Sequence, residues 1–181
     1  INNTLYHNYS KNNTYVYNFP EKIKKVVLTI YTNLILVLLE NSQLWILYDL
    51  DDVEESIQKE IKHSSIEYTR YFFQSFNLEK ETFTAYIVES VSDVYANYGY
   101  GYFYKDDTLY NLFKGKIQLD SKIISVVSTW TMMAFLTETS TLYFSGKTLY
   151  NNGTPCLFKK NIKSIYSNAD FMVGLNEANQ L

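Results

Sequence analysis

Three observations predict an all-β chain of small antiparallel sheets set side by side as the blades of a β-propeller. A pattern recurs at about 40 residues. Its apolar runs last only four to seven residues and are split by polar turns. Those runs favour Val, Ile, Tyr, Phe and Thr, which suit a pleated, largely buried surface, whereas a helical repeat of this length needs apolar residues at i, i+3, i+4 and i+7 over longer stretches.

One whole copy of the pattern lies between Ile123 and Gly153. Ile123 and Val126 open it, a polar turn leads to the apolar run Met132 to Leu136, the turn Thr137 to Ser140 follows, and Thr141-Leu142-Tyr143 begins the next run. A shift of 39 residues lays Ile162 on Ile123, Ile165 on Val126, Leu175 on Leu136 and Leu181 on Leu142. The same leucine stands at Leu5, Leu44 and Leu109, so the anchors are spaced 39, 65, 33 and 39 apart. The interval of 65 is one period plus about 26 inserted residues.

In chain order, residues 1 to 18 hold Thr4-Leu5-Tyr6, an Asn-rich loop that includes His7, and a strand at Tyr15 to Phe19 that Pro20 closes, because proline cannot donate to a ladder. The triplets beginning at Asn2, Asn8, Asn12 and Asn152 match the glycosylation pattern, as expected by chance in a chain this rich in Asn. The second unit, Ile23 to Leu47, offers strands at Lys25 to Ile30, Leu34 to Leu39 and Gln43 to Leu47, with Glu40-Asn41-Ser42 as a turn. An insertion at 49–78 comes next. From Asp49 to Lys62, Leu50, Val53, Ile57 and Ile61 fall at helical spacing, and Asp51, Asp52, Glu54 and Glu55 occupy the first turn, where the helix dipole favours them. The aromatic cluster Tyr68, Tyr71, Phe72, Phe73 and Phe76 follows. Helix and cluster together either cap an edge of the propeller or form a docking surface, since aromatic residues dominate interface hot spots.

The third unit is expected from about Phe83 to Phe113. In Asn97-Tyr98-Gly99-Tyr100-Gly101-Tyr102 the third glycine and the Lys-Ser/Thr pair of a phosphate loop are missing, so the glycines mark a bulge or a close backbone approach. Asp106-Asp107 makes the tight turn into Thr108-Leu109-Tyr110. The domain reading is one partial propeller over 1–181, interrupted by the insertion.

Composition narrows the function classes. The net charge of -3 argues against a dominant polyanion-binding surface, and direct nucleic-acid contact is not expected. The longest clean apolar run, Leu34 to Leu39, is six residues, too short to span a bilayer. The single cysteine, Cys156, excludes an internal disulfide framework and is expected in the core within Pro155-Cys156-Leu157-Phe158, which points to an intracellular chain. Neither cofactor nor metal is expected with only His7 and His63 available, and with His7 in an Asn-rich loop, His63 at a helix end and Cys156 in an apolar run no trio of nucleophile, His and carboxylate suggests itself. The expectation is therefore a non-enzyme that works through a protein partner, with Tyr68, Tyr71, Phe72, Phe73, Asp51, Asp52, Glu54 and Glu55 as the candidate contact residues.

The repeat resembles that of the regulator of chromosome condensation family. Ile123, Val126, Leu136, Glu138, Leu142, Tyr143, Gly146, Asn152 and Gly153 fit its order, and Ile162, Ile165, Leu175, Glu177 and Leu181 fit it again. Where family repeats carry a Gly after the first strand, a His in the second and a Gly in the acidic turn, this chain has Thr129, Met132 and Ser140. The resemblance implies a seven-bladed ring, about four repeats of which are present here. It also implies work through loops on the two propeller faces, as an adaptor or scaffold, as an exchange factor for a Ran-type small GTPase, or as a structural subunit of a larger assembly.

Overall fold

A computed structural model describes residues 3–10, 13–29, 34–48, 69–74, 82–97, 99–146 and 153–180. Every regular element among them is a strand: β1 Thr4–Ser10, β2 Asn13–Asn18, β3 Ile23–Thr29, β4 Leu34–Leu39, β5 Leu44–Tyr48, β6 Thr69–Gln74, β7 Thr82–Val88, β8 Val91–Ala96 and β9 Gly101–Lys105. They continue as β10 Thr108–Asn111, β11 Gly115–Ile117, β12 Ile123–Ser128, β13 Met132–Thr137, β14 Leu142–Gly146, β15 Cys156–Lys159, β16 Ile162–Ser167 and β17 Met172–Asn176.

The strands form five successive antiparallel sheets. The first is β1-β2, the second β3-β4-β5-β7-β6, the third β8-β9-β10-β11, the fourth β12-β13-β14-β15 and the fifth β16-β17. Each sheet follows the chain outward from its first strand, which is the blade order the repeat predicts; the one departure is the second sheet, where β6 adds beyond β7. Consequently the third unit begins at Val91, not at Phe83. Phe83 belongs to β7, which pairs with β5 as the fourth strand of the second sheet. His7, expected in a loop, lies in β1 opposite Tyr15.

Stacking of the sheets accounts for the apolar pattern. β4 is buried at every position because both of its faces are covered. Leu34, Leu36 and Leu38 face the third sheet with Val91, Val94 and Phe103, while Ile35, Val37 and Leu39 face the first with Tyr17 and Phe19. The same alternation repeats at β13. Met133 and Phe135 pack on Tyr102 and Leu109 of the third sheet, and Ala134 and Leu136 on Ile162 and Ile165 of the fifth. At about 25 cal/mol per Å² of apolar surface removed from water, these four interfaces supply the main favourable term in the fold.

The Ile-x-x-Val signature has a physical cause. In β3, β8, β12 and β16 the ladder shifts register at the same place, between Ile23 and Lys25, Val91 and Asp93, Ile123 and Ser125, and Ile162 and Ser164. A bulge inserts one extra residue, so apolar residues three apart share a face that strict alternation would deny them. Val91 and Val94 are buried, as are Ile162 and Ile165.

Candidate interaction surfaces

The two ends of the sheets are made by two kinds of turn. At one end lies the acidic turn between second and third strands. Leu39 N–H donates to the Gln43 carbonyl at 2.9 Å, Thr137 N–H to Thr141 at 3.0 Å and Asn176 N–H to Gln180 at 2.9 Å. The residue before each acceptor is left-handed: Ser42 at φ 67°, Ser140 at 59° and Asn179 at 57°. Glycine takes this conformation without the cost to a side chain; here two serines and an asparagine bear it. Asp106 and Asp107, both with positive φ, make the tighter two-residue version expected from the sequence. The Ser42 and Ser140 carbonyls also reach the next sheet, accepting from Val91 N–H at 2.9 Å and Ile162 N–H at 3.0 Å.

Asp120 consolidates this end of the fourth sheet. Its carboxylate accepts from Thr137 Oγ1 at 2.8 Å and Thr139 Oγ1 at 2.7 Å. Burial acts to raise the Asp120 pKa, but hydroxyl hydrogen bonds from Thr141, Thr139 and Thr137 and its own backbone amide outweigh it and bring the pKa down to about 2. Nearby, a polar cleft of about 420 Å³ lies between the third and fourth sheets and is lined by Tyr104, Lys116, Lys122 and Glu138. Lys122 Nζ stands 3.2 Å from Asp107 Oδ1, an exposed pair of little energetic weight.

At the opposite end the first strands finish, and their last residues converge. Leu28, Ala96, Ser128 and Ser167, from four consecutive sheets, line a cleft of about 370 Å³ with Asn97, Thr129, Trp130 and Asn168. Side-chain oxygens hold the turns that shape it. Thr29 Oγ1 accepts from Leu34 N–H at 3.1 Å and Thr129 Oγ1 from Met132 N–H at 3.1 Å. Asn97 Oδ1 accepts from Tyr100 N–H at 3.0 Å and Asn168 Oδ1 from Phe171 N–H at 2.9 Å. Thr129 thus stabilises its turn through a hydroxyl.

Two features of this cleft point to a partner. Trp130, its largest side chain, is 56% exposed, and Leu28 beside it is also 56% exposed. Asn97 is only 6% exposed, and with Oδ1 engaged by the turn its Nδ2 is buried without a hydrogen-bond partner. A buried donor left unmade costs about 1–3 kcal/mol. Among the described residues, none that lines the cleft is charged.

The contact residues predicted from the sequence have a different standing. Asp51, Asp52, Glu54, Glu55 and Tyr68, with the expected helix, lie outside the described residues. Tyr71, Phe72 and Phe73 fall in β6, opposite Ala85, Thr84 and Phe83, on the outermost strand of the second sheet. The structure thus makes part of the insertion a fifth strand, far along the sheet from the cleft at Trp130. Cys156, expected in the core, is exposed. It sits on β15, the outer edge of the fourth sheet, where all four residues face solvent. Gly101 does mark a close approach: a side chain there would meet Leu36 Cδ1 at 2.8 Å. Trp130 and Asn97 escaped sequence reasoning because each occupies an ordinary turn position, and only the convergence of four sheets gives them a common purpose.

No family model and no curated protein sequence matches the chain. The fold is similar to that in the crystal structure of human WBSCR16, with a TM-score of 0.50 at 10% sequence identity; the likeness covers 90% of this chain and 48% of that one. The chain thus spans about half the length of that β-propeller-like neighbour, and the two share an all-β fold of antiparallel sheets.

Proposed function

We propose that the chain is a non-catalytic protein-interaction module, an adaptor or scaffold that receives its partner at the cleft where the first strands of four sheets end. The observation that carries this reading is the pair of exposed apolar side chains, Trp130 and Leu28, that line the cleft. Tryptophan is enriched among residues that dominate interface energetics. The uncharged lining favours an apolar segment over a basic or acidic one.

The test compares capture of the partner by the native chain and by Trp130→Ala. Because Trp130 is half exposed, the variant should keep its melting temperature and lose capture by about tenfold or more. Unchanged capture would remove the cleft from consideration and return attention to Tyr71 and Phe72.

The exchange-factor reading rests on the resemblance of the repeat at Ile123 to Gly153 to that of the regulator of chromosome condensation family. Exchange works by binding the nucleotide-free GTPase more tightly than the loaded one. If the captured partner is a small GTPase, accelerated nucleotide release in the presence of the native chain establishes that activity. Capture within a stable assembly without a GTPase favours the scaffold.

A further inference from the structure

The third and fourth sheets are joined by polar groups as well as by apolar packing, and the polar part gathers on one carbonyl. The Gly153 oxygen accepts from Tyr102 O–H at 2.8 Å and from Asn111 Nδ2 at 3.2 Å. Both donors belong to the third sheet, on β9 and β10, whereas Gly153 stands in the connection that leads into β15 of the fourth. Tyr102, Asn111 and Ser145 are fully buried. Since the single Tyr102 proton goes to Gly153, the Ser145 hydroxyl of β14 donates to the Tyr102 oxygen. Asn111 is committed on its other side too, its Oδ1 accepting from the Phe113 and Lys114 amides at 3.0 and 3.1 Å. A buried network with its members paired in this way is costly to separate.

Shape holds the same short strap, Gly153 to Pro155. Gly153, at φ 81°, lies against the Tyr100 ring so closely that a Cβ there would come within 2.4 Å of it. Gly153 and Pro155 are both buried, and Lys114 Nζ reaches the exposed Thr154 Oγ1 at 3.4 Å. The strand that follows buries little. All four residues of β15 are exposed; they pair with β14 from Leu142 to Phe144, and Phe158 stacks on Phe144 at 4.4 Å. The buried anchor of this segment therefore lies on the neighbouring sheet, not on the sheet that β15 completes.

We infer that the strap is a latch: the third sheet holds Gly153 and through it governs whether β15 stays paired with β14. Release opens the strap and β15 together as one local unit, at a lower free energy than unfolding of the stacked sheets. β14 then becomes the edge of the fourth sheet, with the backbone groups that β15 had paired laid open.

Amide hydrogen exchange resolved by residue tests the latch. Tyr102→Phe keeps the ring against Phe135 and removes the proton given to Gly153. The protected amides of β15 should then exchange roughly tenfold faster, while those of β6 and β17, the outermost described strands of the second and fifth sheets, should keep their rates. Gly153→Ala displaces the strap without touching its donors and should act in the same way, so it carries the test if Tyr102→Phe fails to fold. Unchanged exchange in β15, or equal acceleration in β6 and β17, would overturn the inference.

Discussion

Between the second and third sheets the interface is filled across its width, from Val91 and Val94 on the inner strand to Phe103 and Leu112 further out. Between the fourth and fifth it is filled only on the inner side, by Ile162 and Ile165, and gives way to the groove beside Phe144 and Phe158. The repeat is the same in both places. What differs is the number of strands the following sheet presents, so burial here is decided by the neighbour and not by the residue's own strand.

The comparison breaks most sharply at its two phenylalanines. Phe103 is fully buried, and Phe103→Ala should cost about 3–5 kcal/mol. Phe144, half-buried and stacked 4.4 Å from exposed Phe158, should cost less than about 1.5 kcal/mol on the same change. Urea denaturation measures both, and equal losses would mean that the groove is covered in solution. A second contrast uses glycines. Gly153, at φ 81° against the Tyr100 ring, has no room for a side chain, so Gly153→Ala should destabilise by about 1–3 kcal/mol. Gly174 meets only ordinary contacts, the nearest at 3.6 Å, and Gly174→Ala should be neutral or mildly stabilising.

The smallest effect is electrostatic. The Asp120 carboxyl titrates lower in the folded chain, at about 2, than in the unfolded one, so its contribution is present above the unfolded value near pH 4 and is lost as pH falls toward 2. Its exposure keeps that contribution well under about 1 kcal/mol. Thr137→Val removes one of the hydroxyl donors and should move the Asp120 titration upward, which carboxyl chemical shifts followed against pH would read. No movement would mean that Thr139 and Thr141 suffice.

Much of this architecture is legible in the sequence. Leu34 to Leu39 reads as a buried strand and is one, and the turns expected at Glu40 to Ser42 and Thr137 to Ser140 are present, each closed by a serine of positive φ. The 39-residue shift aligns Ile123 with Ile162, and both open bulged first strands. The errors are all errors of neighbourhood. Phe83 to Val88 reads as the start of a unit because pairing with β5 is non-local and leaves no mark in the strand itself. Pro155 to Phe158 reads as core because its apolarity is real, yet all four residues of β15 are exposed beside the two described strands of the fifth sheet. The cleft at Trp130 was invisible for a related reason: its lining is assembled from one to three residues of each of four sheets, most of them polar or small in isolation.

The return of the chain at β7 to the strand it left at β5 gives the second sheet an unusual tolerance. A segment that joins the adjacent strands β5 and β7 does not alter the order of β3, β4 and β5. Loop-closure entropy grows only logarithmically with length, by about 0.6 kcal/mol for each doubling, so the cost of a longer segment is slight. The join between β5 and β7 is thus a place where whole folding units can be grafted while β3, β4 and β5 keep their register.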